Sequence, residues 1–392
     1  MPKGVNKKIC IGNPARGEEF YLRKKLINKA WRMIYAGSNI LLAAPRRVGK
    51  TSIMCHLLDD PIDDYNIIFV DMESASGENE YFRKLLNKIL KSGILKTLQK
   101  ALALIEKHKP EIKKIGVEGI EFGVKTNLVY FDLVEKVLKT IDESGTKLVI
   151  MVDEYPQTLE NIIKAGGKEA GIKFLQSNRV LRMDPELNRN ITYVYAGSIG
   201  LENIIRKINA IATINDLDTL FIPPLKIEEA HEFVKLLLED VSYDLKKEQI
   251  NYIINKIKWL IPFHIQLVIR GLQDIIIDEE SSKVDIQMID RIFTEMIEQR
   301  NHFDHWHTRL RSSFDSAEYS FAKEILNIVS ESETIKSAEM YEIAAKQNLE
   351  QKYKEIIASL IYDGYINNND NENVYRFNSP IVRMWWRKYV AN

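Results

Sequence analysis

Lys50 and Thr51, together with Asp153 and Glu154 further along the chain, are the side chains here best suited to phosphate chemistry. A lysine ammonium reaches β- and γ-phosphate oxygens, and the hydroxyl after it ligates Mg²⁺. An acid at a strand end holds Mg²⁺ through water, and a neighbouring acid polarises the attacking water as a general base. The local frame is Asn39-Ile-Leu-Leu-Ala-Ala-Pro-Arg-Arg-Val-Gly-Lys-Thr-Ser52. Its apolar run from Ile40 to Ala43 reads as a buried strand. The chain then turns through Ala44, Pro45, Arg46, Arg47, Val48 and Gly49 and enters a helix at Lys50, Thr51 and Ser52. This is the phosphate-binding loop pattern, with Ala44 where the motif usually has its first Gly. Backbone N–H groups of the turn and the helix start converge on one spot and favour an anion there. Gly49 lets the backbone approach phosphate without a Cβ in the way. A plain Gly-Lys-Thr turn with Thr51 as a helix cap is the simpler reading, but it leaves the acidic partner unaccounted for.

That partner, Asp153-Glu154, closes the run Lys147-Leu-Val-Ile-Met-Val. A strand that is apolar throughout is buried on both faces, as in a parallel sheet covered by helices. Ligands bind beyond the carboxyl ends of such strands. Ser198 ends the strand Ile191–Ala196; its hydroxyl serves either as a γ-phosphate sensor or as a helix N-cap, and the sequence leaves both open. Of Arg46 and Arg47, the sequence does not say which faces phosphate. Arg179, Arg182 and Arg189 are candidates for an arginine donated across a homo-oligomer, with surface ion pairs the plainer reading. His302, His305 and His307, with Asp304, tempt a metal reading. Their spacing does not place all three histidines on one helical face, so a polar connector is favoured.

The elements that position these groups follow from periodicity. A chain of 392 residues, 45% hydrophobic and 28% charged, has the apolar mass for two or three domains. Strand–helix alternation up to Pro224 predicts a three-layer α/β domain with a mostly parallel sheet over 1–225, carrying a β-hairpin insertion at about 113–125. Helices alone follow over 226–300, an all-α lid. Residues 301–316 read as a polar connector. From 317 to 392 the order helix, helix, helix, β-wing predicts a winged helix. Its third helix, around Lys352 and Lys354, is mixed in charge, and the wing tip carries Asp370 and Glu372. That favours a protein-contact module; Lys352, Lys354, Arg376 and Arg387 keep DNA as a minority reading. Lys+Arg and Asp+Glu are equal at 55 each, so no global basic field recruits nucleic acid or lipid. No run approaches a membrane span, and two cysteines without a disulfide pattern imply a reducing cytoplasm.

As an ordered set, Ala44–Ser52, Asp153-Glu154, Gly197-Ser198, Pro223-Pro224-Leu225 with Glu228-Glu229-Ala230, and Tyr375-Arg-Phe-Asn-Ser-Pro380-Ile-Val-Arg383-x-Trp385 resemble the prokaryotic "archaeal-type" ATPases. These belong to the STAND branch of AAA+-like P-loop NTPases. The resemblance spans about residues 12–390. It implies an ATP/ADP-binding, Mg²⁺-dependent switch with slow hydrolysis. The nucleotide would lie between core and lid, and output would run through the winged helix to a protein partner. It also implies that Phe20 and Arg23, in Glu19-Phe20-x-x-Arg23, lie near adenine, and that Pro262 touches the nucleotide. Two positions depart from the pattern. Leu22 stands where the family has Gly. Asn215-Asp-Leu-Asp-Thr lacks the arginine often found before the last strand, which puts finger-type activation in doubt. The other reading is a nucleotide-bound adaptor or DNA-binding regulator that barely hydrolyses.

Overall fold

The computed structural model describes residues 8–62, 64–94, 112–116, 119–122, 129–187, 189–197, 200–239, 241, 243–280 and 283–391, with residues 112–116 and 119–122 described by backbone only. The chain divides into two units: a sheet unit, Leu22–Ala44 with Lys50–Ile222, and a second unit of Met1–Tyr21, Pro45–Gly49 and Pro223–Asn392. The loop residues 45–49 thus group with the C-terminal segment.

The sheet unit is built on five parallel strands: β1 (Ile40–Ala43), β2 (Asn66–Asp71), β5 (Leu148–Asp153), β6 (Ile191–Gly197) and β7 (Asp218–Phe221), in the order β2-β5-β6-β1-β7. Every residue of β1, β5 and β6 is buried, as unbroken apolar runs require. The register aligns the carboxyl ends: Asp71 lies opposite Asp153, and Ala43 lies opposite both Gly197 and Phe221. The covering helices are α1 (Lys24–Tyr35), α2 (Lys50–Asp59), α3 (Glu78–Lys91), α4 (Tyr130–Glu143), α5 (Tyr155–Met183) and α6 (Leu201–Lys207). α1 buries Ile27, Ala30, Trp31 and Ile34, the i, i+3, i+4, i+7 stripe of an amphipathic helix. α5 breaks at Gly167, whose φ of 79° and ψ of −179° lie outside helical space. Tyr81, Tyr155, Phe174 and Tyr195 pack ring against ring between α3, α5 and β6. β3 (Ile112–Gly116) and β4 (Gly119–Phe122) pair antiparallel. The helical tract read beyond Lys91, from 95 to 109, lies outside the described residues.

The second unit holds α7 (Ile227–Leu238), α8 (Lys247–Ile257), α9 (Pro262–Asp278) and α10 (Ile286–Glu298), then α11 (Asp304–Ser313), α12 (Ser316–Ser332), α13 (Ser337–Lys346), α14 (Tyr353–Tyr362) and α15 (Pro380–Tyr389). A small antiparallel sheet, β8 (Ile335–Lys336), β10 (Val374–Phe377) and β9 (Ile366–Asn367), pairs in the order β8-β10-β9. The stretch read as a connector is mostly helix. Phe303, Trp306 and Leu310 are buried from positions i, i+3 and i+7, a stripe that the surrounding His and Arg residues hide in composition. Trp385 and Trp386 are fully buried, and the Trp386 Nε1–H donates to Asn327 Oδ1 at 2.9 Å. The N-terminal segment is tied into this unit: Cys10 N–H donates to Gln266 Oε1, and the Tyr21 hydroxyl donates to Glu232 Oε2, both at 2.6 Å. Among the described residues, no helix is long and apolar enough to cross a membrane.

Candidate functional site

The sheet unit brings Lys50, Thr51, Asp153 and Glu154 to one edge. Ala44 follows directly on β1, and α2 begins at Lys50. Between them, Arg47 and Gly49 both take positive φ, 66° and 98°. Gly49 adopts that conformation at little steric cost; Arg47 does not. Val48 points inward and is buried.

Lys50 is only 7% exposed, and its ammonium donates to the Ala44 carbonyl at 3.0 Å. A buried ammonium needs acceptors. The strand-end carbonyl supplies one, so the side chain folds back along its own loop. The Thr51 hydroxyl donates to Asp153 Oδ2 at 2.8 Å. The other oxygen, Oδ1, accepts the Glu154 N–H at 3.0 Å. Asp153 is therefore held at both oxygens and is 5% exposed. Glu154 sits in the left-handed region, φ 53° and ψ 36°, as the residue that turns β5 into α5. For a non-glycine residue this backbone costs on the order of 1 kcal/mol, a strain that concentrates at functional positions.

Two further interactions fix this turn. Thr158, one helical turn into α5, donates its hydroxyl to Met72 O at 2.8 Å, and Asn161 Nδ2 donates to Glu73 O at 2.8 Å. They staple the end of β2 to the start of α5. Polar residues beside Leu159 and Ile162 were the available signal in the sequence. Gly197, at the end of β6, adds a third constraint. A Cβ there would lie 2.1 Å from Pro156 Cδ, so only glycine admits the ring that opens α5. Gly197→Ala is expected to displace that helix start and the Glu154 it carries. It should cost about 1–3 kcal/mol of stability. Urea unfolding of wild type and variant checks this.

Other anticipated residues fall elsewhere. Ser198 lies outside the described residues. Arg23 is in the sheet unit, buried at the start of α1. Phe20 and Pro262 belong to the second unit, Pro262 opening α9. In that same unit, the Arg47 guanidinium lies 4.2 Å over the Phe263 ring, so Arg47 rather than Arg46 stacks on the helical segment. Arg182 is not a surface arginine available to a neighbouring subunit. It is 2% exposed and clamps Asp216 through two nitrogens, at 2.6 and 3.0 Å, while also donating to Thr213 O at 2.7 Å. The acidic Asn215–Thr219 stretch that departs from the family pattern is thus the partner of an internal arginine. Among the described residues, no group of three or more His, Cys, Asp or Glu side chains is arranged to hold a metal ion by itself. Thr51 and Asp153 fit Mg²⁺ differently: their two hard oxygens already converge within 2.8 Å, as a site completed by water and phosphate requires.

No protein-family model matches this chain, and no curated protein matches it. Solved structures do. The Walker-type ATPase paby2304 of Pyrococcus abyssi is similar over 97% of this chain and 99% of its own, with a TM-score of 0.64 and 14% identity. The ORC2 protein of Aeropyrum pernix, solved in ADPNP–ADP complexes, is similar over 95% of this chain and 96% of its own, with a TM-score of 0.51 and 10% identity. With the parallel sheet, the strand-to-loop-to-helix passage and the acid at the carboxyl end of β5, these likenesses show that the chain has the α/β fold of the P-loop NTPases.

Proposed function

We propose that the protein is a Mg²⁺-dependent ATP-binding and ATP-hydrolysing switch of the STAND, AAA+-like class. The observation that carries this is the Thr51–Asp153 hydrogen bond at 2.8 Å, which joins the loop helix to the end of β5. It unites two motifs that are remote in sequence and are both needed at a phosphate. In this reading Lys50 leaves the Ala44 carbonyl to pair with phosphate oxygens, and backbone N–H groups of 46–52 complete the cradle. Thr51 and Asp153 hold Mg²⁺, which supplies charge neutralisation when bound. Glu154 accepts a proton from the attacking water. Ser198 is assigned the γ-phosphate sensor role that its strand-end position allows, and Phe20, Arg23 and Pro262 keep the adenine-side and nucleotide-contact roles that the family resemblance implies. The similar P. abyssi protein is a Walker-type ATPase and the A. pernix ORC2 structure holds ADPNP and ADP; both support a nucleotide here.

Output would pass through the winged-helix segment 317–392 to a protein partner. A duplex reader offers its cations to phosphate, whereas here two of the four are paired internally. Lys352 pairs with Glu318 at 3.2 Å, and Arg376 pairs with Asp370 at 2.7 Å. A steep salt dependence of DNA binding would reverse that preference.

Lys50→Ala tests the nucleotide site. Removing the one ammonium in the cradle is expected to weaken ATP binding on the order of 100-fold. Equilibrium titration of ATP into wild type and variant checks it, and equal affinities would refute the assignment.

A further inference from the structure

Beyond Asp71 the chain stays attached to the sheet. The Met72 N–H donates to Asp153 O at 3.3 Å, which carries the pairing of β2 with β5 one bond further. A four-residue turn follows, Met72 to Ala75, closed by the Ala75 N–H on Met72 O at 2.9 Å. Met72 and Ala75 are fully buried, while Glu73 and Ser74 between them are exposed. The carbonyls of such a turn need donors. Those of Met72, Glu73 and Ala75 receive them from two side chains of α5.

The first is Thr158, which has no exposed surface. Its hydroxyl lies 2.8 Å from Met72 O and 3.1 Å from Glu154 O. A buried hydroxyl without an acceptor is costly, and a valine would fill the same space. The second is Asn161. Its amide nitrogen donates to Glu73 O at 2.8 Å and to Ala75 O at 3.3 Å, and its Oδ1 accepts from Gln157 Nε2 at 3.0 Å. All three interactions hold one orientation of the amide.

Glu154 lies between these anchors and the acid before it. Its left-handed backbone, at φ 53° and ψ 36°, persists in a non-glycine residue only where the surroundings over-determine it. On one side its N–H is fixed by Asp153 Oδ1 at 3.0 Å. On the other its carbonyl accepts the Thr158 N–H at 3.0 Å. Thr158 therefore ties the carbonyl of Glu154 and the turn after β2 to a single side chain.

We propose that Thr158 and Asn161 are positioning residues for Glu154. They clamp the first two turns of α5 onto the turn that follows β2, and they act on the chemistry through Glu154 alone. The inference rests on the general-base role proposed for Glu154 and adds the side chains that set its place.

The test is steady-state phosphate release and equilibrium ATP binding by the full chain, with a melting curve for each variant. Thr158→Val keeps the shape and removes the hydroxyl, and its turnover should fall about 10–100-fold, as a small misplacement of a reacting group does. Its ATP affinity should stay within about twofold of wild type, because the loss is confined to the transition state. Thr158→Ser restores the hydroxyl and should restore turnover. Asn161→Leu should behave as the valine variant does, and it decides the matter if Thr158→Val does not fold. In a Glu154→Gln background, Thr158→Val should cause no further loss, since residues that act as a unit are not additive. Wild-type turnover in Thr158→Val and Asn161→Leu, beside an impaired Glu154→Gln, would refute the positioning role and leave the nucleotide reading standing. A loss that recurs undiminished in the Glu154→Gln background, or a serine variant as impaired as the valine one, would refute it equally. If Glu154→Gln turns over as wild type does, the general-base role fails and this inference fails with it.

Discussion

Glu154→Gln is expected to lower the turnover of ATP by about 10²–10⁴-fold, the usual worth of a general base, while leaving ATP affinity within a few-fold of wild type. The side chain is one residue past the acid that Thr51 grips, and its backbone is locked by its own N–H on Asp153 Oδ1. Glutamine keeps the length, the polarity and tolerance of the same φ of 53°. What it removes is the ability to take a proton. Steady-state phosphate release, measured beside equilibrium nucleotide binding, separates the two effects. Turnover equal to wild type would remove Glu154 from the chemistry and favour a chain that binds nucleotide and scarcely hydrolyses it.

The second large effect concerns stability. Arg182→Met strands Asp216 in a site where it is 7% exposed at the side chain, with no cation to answer it. Breaking one side of a buried pair costs about 3–5 kcal/mol. In a domain of this size the melting midpoint should then drop on the order of 10 °C. Arg182→Met combined with Asp216→Leu is expected to recover much of the loss, since the expense lies in the unpaired charge rather than in the missing contact. Thermal and urea unfolding of the single and double variants measures both. A single variant within about 1 kcal/mol of wild type would mean that solvent reaches Asp216 after all.

These two residues show where the sequence was legible. The place of Asp153 and Glu154 was readable because acids directly after an unbroken apolar run mark the carboxyl end of a buried strand. The same logic placed β1, β5 and β6, whose lack of alternation marks burial on both faces. Arg182 could not be read in this way. Its burial depends on Asp216, which arrives from a different element, and no local pattern marks a long-range ion pair. α11 was obscured for a different reason: His and Arg dominate its composition, and its buried residues are Trp306 and Leu310. The twin fit of Gly197 and Pro156 was hidden too, since contact across two elements leaves no periodicity in either.

The sheet order also bears on how the protein is made. β1 is the first strand of its unit to leave the ribosome, yet both of its neighbours, β6 and β7, come from residues 191–221. Until those residues emerge, the segment ahead of Lys50 has no ladder to join, and closing so long an interval carries an entropic delay. The β2–β5 pair can form well before that, giving an intermediate with an unfilled central groove. The loop around Lys50 is therefore among the last parts of the chain to take shape, and a transcript truncated before residue 191 would yield a product with the motif but without the strands that hold it.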